Sequence, residues 1–559
     1  MTACCLSKEC SVIIKWRSLV NTAAILAVWI LAMSVQADTY PQQVGVDARH
    51  YRFSIRLLTT NDNRIQGEAA VTLRILSPKV TTASLDLANR AKDGKGMTVS
   101  KVTLGDKPAR FTHKNNRLKL SLPKGLAAGD EFTFVIDYSG SPRSGLRLIE
   151  NMHGEPTAFS ENWHNNARQW LPVIDHPSDK ASGEFIITTK ANYQVVATGQ
   201  LIESRDLAQG LRRTHWKQQE PIAAWLYAIG VAKFVVKQNG LVKGTPMSYW
   251  AFAQDDGVGL ETLQRDAQGA FEFFSERIAP YPYAMLAHVQ AAGIGGATEH
   301  ATNIFYGEHD VADGRAPTVH ETVHQWFGNT VTPKDWDDVW LSEGFATYLA
   351  LLYFEHTYGR DDFVSGLKRS RNTVLNFESA HPNIPLVHQN LDEANQSPLN
   401  PLVYEKGAWV LHMLRHRLGA QVFWKGLREY YQRHRHAHAS SDDFRRAMEQ
   451  VADIDLKPFF NQWLHRSGVP KIDGSWSYNP VAKSLELMIE QTQAEEPYHF
   501  ALQIGLKNEE SDWSATKTLK ISERITTVSL PIEFEPKDVT LDPNVWLLAE
   551  FEEFSELGE

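Results

Sequence analysis

His320-Glu321-Thr322-Val323-His324 places two imidazoles four positions apart with a carboxylate between them, and Glu343 follows nineteen positions after His324. Residues i and i+4 share one face of an α-helix, so His320 and His324 can reach a single metal ion. Glu321 is rotated off that face, which suits a group that handles protons beside the metal rather than a ligand of it. Catalytic zinc takes three protein ligands and keeps a fourth position open. Glu343 is the natural third ligand, giving one Zn2+ per chain. A lone His-Glu-x-x-His carries limited weight, because a chain with 21 histidines meets it by chance roughly a few times in a hundred. Its surroundings add weight. Residues 340–349 read as the start of a second helix, with Ser342 or Asp338 as its cap and apolar positions continuing through Leu352 and Phe354. Glu343 then lies near the N-terminus of that helix, able to face the first.

The 559 residues predict three or four domains. A hydrophobic fraction of 43% with 22% charged residues is that of ordinary globular protein with ample core. The net charge of -9 and the lack of a long basic run argue against nucleic acid as a partner. Lys8, Lys15 and Arg17 precede an apolar stretch over 23–33, and Ser34-Val35-Gln36-Ala37 offers small or aliphatic residues before a cut at Ala37/Asp38. This reads as a signal peptide over 1–37. The apolar stretch is short of the about 20 residues a membrane span needs, so no stable membrane anchor is expected after cleavage. Cys4, Cys5 and Cys10, the three cysteines of the chain, all lie in that segment. The mature chain would have no disulfide, no cysteine nucleophile and no thiolate ligand. These features point to an exported, bacterial-like protein of the periplasm or the medium.

Residues 38–245 mostly follow a period of two: Tyr51, Phe53, Ile55 and Leu57 form one apolar face, and Ala69, Val71, Leu73 and Ile75 another. This predicts an N-terminal β domain. From 246 to 468 the pattern turns helical, most clearly over 260–278, the two motif helices, 407–418, and 444–451 with Ser441 and Asp442 as caps. Residues 469–559 alternate again, through Leu485, Leu487 and Ile489 and through Phe500, Leu502, Ile504 and Leu506, as a small β-sandwich does. The fold class expected is multidomain α+β. His434, His436 and His438 alternate as metal ligands can, but a polar loop before the capped helix explains them better.

Several words of this sequence resemble the M1 family of zinc aminopeptidases, the gluzincins that include aminopeptidase N and leukotriene A4 hydrolase. The signature HExxH-x18-E is met by His320, Glu321, His324 and Glu343, and Trp340-Leu341-x-Glu343-Gly344-Phe345-Ala346 surrounds it. Tyr404-Glu405-Lys406-Gly407 is a second family word. Phe159-Ser160-Glu161 through Ala167-Arg168, Pro172, Asp175 and Pro177 is a third, and Phe459-Phe460-Asn461-Gln462-Trp463 with Gly468-Val469-Pro470 a fourth. The resemblance implies a thermolysin-like catalytic domain at 246–468 and a short form without the large helical C-terminal domain of many members. It implies peptide substrates with a free N-terminus.

The family's exopeptidase word appears as Gly296-Ala297-Thr298-Glu299-His300, with methionine and asparagine replaced by Thr298 and His300. By this resemblance Glu299 binds the substrate α-amine, and the backbone at Gly296 and Ala297 aligns the peptide as an added strand. The further amine-binding position of the family falls on Trp163, whose indole is a donor only. Either Trp163 offers a cation–π face, or Glu161 supplies the carboxylate. Glu321 is expected to act as general base and then general acid. Tyr404 is expected to donate to the tetrahedral oxyanion, a contribution of about 3 kcal/mol. Two rivals stand beside the aminopeptidase. Thr298, His300 and Trp163 keep open a zinc endopeptidase or small-molecule hydrolase, whereas the intact Glu321 and Tyr404 weigh against a non-catalytic binding protein.

Overall fold

The computed structural model describes residues 43–57, 64–387, 399–508 and 515–557. The expected signal segment, with Cys4, Cys5 and Cys10, lies outside them. Among the described residues no helix is long and apolar enough to cross a membrane.

Alternation builds the first half. Val46–Arg56 buries Tyr51, Phe53 and Ile55, and Ile65–Ile75 buries Ala69, Val71, Leu73 and Ile75. The two strands pair antiparallel with Phe53 opposite Ala69, so both apolar sets fall on one face. They sit inside an eight-stranded sheet, where Val46–Arg56 also pairs in parallel with Lys180–Lys190. A smaller four-stranded sheet runs Gln194–Ala197, Ile229–Ala232, Pro156–Ser160, Leu146–Glu150. Its Pro156–Ser160 strand leads directly into Glu161.

A five-stranded mixed sheet follows, in the order Phe234–Val242, Thr245–Phe252, Leu286–Ala291, Asn303–Gly307, Ala297–Thr298. The change of pattern near residue 245 falls inside a hairpin of this sheet, so strands and helices are joined there through one sheet. The two-residue strand Ala297–Thr298 is its edge, paired on one side only, with Ala297 opposite Tyr306.

Four helices frame the site: α1 (Thr318–His324), α2 (Trp340–Tyr358), α3 (Arg360–Ala380) and α4 (Gly407–Leu418). The first two turns of α2 are buried on every side, from Trp340 through Ala346. Such a helix needs close neighbours rather than one apolar stripe. Gly344 provides the closest: a Cβ there would lie 2.8 Å from Cα of Gly407, and a Cβ on Gly407 would lie 3.0 Å from Cα of Gly344. The backbones of α2 and α4 therefore touch. Just before α4, Leu402–Lys406 forms a π-helical turn that carries Tyr404. Lys406 is buried and donates to Glu378 of α3 at 2.7 Å and to the Gly468 carbonyl at 2.8 Å.

Three local expectations need correction. The single helix over 260–278 is two helices, Val258–Gln264 and Ala267–Arg277, broken at Asp266 with φ of 58°. Tertiary bonds hold the break: Tyr353 and Tyr358 of α2 donate to the Asp266 carboxylate, and Thr318 of α1 donates to the Arg265 carbonyl. The helix Ser441–Ala452 is capped by Ser440 in a reciprocal box with Asp443, not by Ser441 or Asp442. Neither Ser342 nor Asp338 caps α2. Asp338 instead accepts from the Ser441 backbone and hydroxyl, and Ser342 turns to His324.

The last strands form two sheets, Ile525–Pro531, Ser484–Gln491, Lys471–Asn479, Glu550–Glu556 and Ala515–Ile521, Phe500–Lys507, Asp538–Leu541. Leu485, Leu487 and Ile489 of one and Leu502, Ile504 and Leu506 of the other are buried, the two apolar sets read from alternation.

Gly344→Ala should destabilise the protein by about 1–3 kcal/mol, because backbone rather than a movable side chain stands in the way. Urea denaturation measures it; a change under about 0.5 kcal/mol would mean that α2 and α4 have room to part.

Candidate active site

Helix α1 is short, and its fixings lie at both ends. Thr318 bonds the broken helix before it, and Trp326, just past its end, is buried and donates through Nε1 to the Ala279 carbonyl at 2.9 Å. Val319 and Val323 are buried on the side away from the cleft residues His320 and His324. The spacing of four then does what helical geometry requires: the two Nε2 atoms lie 3.1 Å apart. Glu343, in the first turn of α2, brings Oε2 to 3.5 Å from His320 Nε2 and 3.4 Å from His324 Nε2. The ligand atoms of all three residues lie within 4.8 Å of one another.

Two imidazole nitrogens and one carboxylate form the donor set of a catalytic zinc site, and the surroundings orient them for it. His324 Nδ1 lies 3.2 Å from the Phe327 carbonyl and 3.0 Å from Ser342 Oγ. A proton on Nδ1 bonded to that carbonyl leaves the Nε2 lone pair facing Glu343. The field favours a cation at this point. Burial alone would lower the His324 imidazolium, but Glu343, Glu299 and Glu321 push it up to about 10. Burial alone would raise Glu343, but His324 and His320 hold it down at about 2. The residues present therefore fit a zinc ion.

All nine residues singled out from the sequence line one cleft of about 470 Å3: His320, His324, Glu343, Glu321, Tyr404, Glu299, Gly296, Ala297 and Glu161. Burial, then the charges of Glu299 and Glu343, push the Glu321 carboxyl well above the usual carboxylate range, against the pull of His324. Its Oε2 is buried and has no hydrogen-bond partner among the described residues. Tyr404 stacks on His320 with ring centroids 6.1 Å apart. Burial and the carboxylates of Glu343, Glu299 and Glu321 raise its phenol far above its ordinary value, so it remains a donor.

Glu299 is 5% exposed, and its Oε1 has no hydrogen-bond partner among the described residues. Burial pushes it up to about 7, with Glu343 and Glu161 adding to the rise and His324 opposing it. Its backbone is tied to the end of α1. Asn329 Nδ2 donates to the Glu299 carbonyl at 2.6 Å and Gln325 Nε2 at 3.1 Å. The side-chain Oε1 of Gln325 in turn accepts from the Thr302 backbone N–H at 3.1 Å. Lys180 arrives from the eight-stranded sheet, buried, and donates to the carbonyls of Asn329 and Thr330 at 3.1 and 2.9 Å. The metal helix and the loop carrying Glu299 are thus one fixed unit.

The positions that depart from the family pattern fall in different places. Thr298 lines the cleft. His300 does not: it is fully buried, packs against Phe305 with centroids 5.0 Å apart, and is kept neutral by burial, which lowers it to about 3. Trp163 lines the cleft but is also wedged against Trp336, at 4.8 Å, and Trp225. Its backbone N–H donates to Glu161 Oε1 at 3.0 Å, so the carboxylate in this corner is Glu161. Four contributors escaped the reading of the sequence. Ser342 sits at a helix start and so reads as a cap, and Gln325 and Asn329 lie one and five residues past His324 with nothing local to mark them. Arg147 lies in a strand fourteen residues before Glu161 and lines the same cleft.

Comparison with known proteins agrees with this arrangement. The family model described as "Peptidase M1 N-terminal domain" matches residues 47–226, and that described as "Peptidase family M1 domain" matches residues 303–463. A glutamyl aminopeptidase of Bitis rhinoceros is 26% identical over 334 residues, 56% of this chain and 35% of the relative. Endoplasmic reticulum aminopeptidase 1 of Homo sapiens is 25% identical over 401 residues, 66% of this chain and 41% of the relative. Aminopeptidase N of Lactococcus lactis subsp. lactis is 24% identical over 444 residues, 71% of this chain and 50% of the relative. The matched part is therefore half or less of the length of each of these relatives. With both family models on the chain and the zinc ligand set in the cleft, the chain belongs to peptidase family M1.

Proposed function

We propose that this chain is a zinc-dependent aminopeptidase that removes the first residue of peptides with a free N-terminus. The observation that carries the reading is the buried Glu299 carboxylate, one oxygen unpartnered, in the same cleft as the His320–His324–Glu343 set. Membership of family M1 and relatives named as aminopeptidases support it. Export, read from the segment 1–37, is part of the proposal.

His320, His324 and Glu343 would hold the zinc, which when bound polarises the scissile carbonyl and makes water nucleophilic near neutral pH. The peptide's first residue lies along the open edge of Ala297–Thr298 and pairs with it through main-chain bonds. Glu299 and Glu161 receive the α-ammonium, which satisfies the unpartnered oxygen and fixes the cut one residue from the end. Glu321 Oε2 takes a proton from the attacking water and returns it to the leaving amine. Tyr404 O–H donates to the oxygen on which negative charge develops.

Aminoacyl arylamides should be hydrolysed and their N-acetylated forms spared, and Glu299→Ala should erase that discrimination; equal turnover of free and blocked substrates by the native enzyme would instead favour an endopeptidase. Glu321→Ala should lower kcat by about 10^2–10^4 with metal content unchanged, and Tyr404→Phe by about 10^2–10^3. Ser342→Ala should weaken zinc affinity by about 10–100-fold in competition with a chromophoric chelator. Unaltered affinity there would show that the Phe327 carbonyl alone orients His324.

A further inference from the structure

Among the described residues, Arg147 is the one arginine or lysine that lines the cleft. Its side chain is 47% exposed, and its nearest charge partner among the described residues is Glu161, at 3.9 Å between Nη2 and Oε2. That separation lies outside hydrogen-bonding range. Glu161 already accepts the Trp163 N–H through its other oxygen. A guanidinium has five N–H donors in a rigid fork shaped for a carboxylate, and this one is left with the fork open to the cleft.

The arginine is nevertheless held. Its strand pairs antiparallel with Pro156–Ser160, Arg147 opposite Phe159, which places it beside the turn into Glu161. Its stem lies over Gly293, where a Cβ would come within 3.1 Å of Arg147 Cδ and 2.5 Å of Ile149 Cδ1. Gly293 also has φ of 73°, so two constraints favour glycine there and keep the path of the arginine stem clear. The head group thus stands over the approach to Gly296 and Ala297, at the Glu161 corner.

We propose that Arg147 receives a carboxylate borne on the side chain of the substrate's first residue, so that peptides beginning with glutamate or aspartate are preferred. The proposal rests on the aminopeptidase reading above. Its geometry selects between the two carboxylates a short peptide could offer. The α-carboxylate lies across the scissile bond from the amine, and each further residue of extended chain carries it about 3.3–3.6 Å away. The first side chain branches from the same carbon as the amine. Arg147 neighbours Glu161, on the amine side, and so faces that side chain. Glu161 competes for the guanidinium, but once it takes the α-ammonium its pull on Arg147 weakens.

Glutamine and glutamate differ in charge but hardly in shape, which makes their arylamides the cleanest pair. With the zinc-loaded enzyme, kcat/KM for the glutamyl arylamide should exceed that for the glutaminyl arylamide by about 10-fold or more, as a charge-assisted forked pair provides. Arg147→Met should bring the ratio close to one. Arg147→Glu should reverse the order of glutamyl and lysyl arylamides, a gain that a folding defect cannot mimic. A native ratio at or below one, or a ratio that survives Arg147→Met, overturns the proposal. So does an Arg147-dependent preference for dialanine over dialanine amide without a glutamyl preference, which would assign the guanidinium to the α-carboxylate. If no unblocked arylamide is cleaved, the aminopeptidase reading fails and this proposal with it; cleavage without acidic preference sinks this proposal alone.

Discussion

Desolvation of Glu161, Glu299, Glu321 and Glu343 in one cleft, with repulsion among the last three added to it, is the constraint on which the site depends. Four carboxylates line one cleft, and buried like charges cannot all stay ionised without positive partners. The protein resolves this by giving each a different neighbour. Glu343 sits against two imidazoles and stays charged, whereas burial pushes Glu299 up to about 7 and Glu321 well above the usual carboxylate range. One residue type is thereby sorted by environment into different protonation behaviour, as the three roles proposed for these carboxylates require. The same arrangement favours positive charge in the cleft, as the proposed dication and substrate ammonium would supply.

That concentration requires two helices to approach more closely than side chains allow. Glu343 precedes Gly344, and Tyr404 stands three residues before Gly407; the contact of the two glycines sets how far apart the ligand and the phenol can be. The sequence words that mark the family are thus not only chemical. Each pairs one reactive group with the glycine that brings it into range, and Lys406 locks the second word to α3 and to the start of the final strands.

What could be read from the sequence was whatever depends on short spacing. Two histidines four apart meet a metal because a helix turns in that interval, and alternating residues share a sheet face because strands do. Hydroxyls and carboxylates near helix starts were misread, because Ser342, Ser441 and Asp338 are engaged by partners distant in sequence rather than by the nearest free N–H groups. The break at Asp266 was invisible for a like reason: apolar periodicity runs through it, and tyrosines ninety residues away hold it open. Arg147 depends on strand register, which no local pattern reveals. His320, His324 and Glu343 were legible as a ligand set, but the groups that orient them, and Arg147, were not.

The buried ammonium of Lys180 joins the two segments that the family models match separately. It leaves the N-terminal sheet, enters the other segment and holds the carbonyls at 329 and 330, and Asn329 in turn holds Glu299. Trp163 and Trp336 interlock across the same junction. The placement of Glu299 beside His320 and His324 is therefore a joint property of both segments. Exchanging either segment for an unmatched one would cut these ties even where both halves fold.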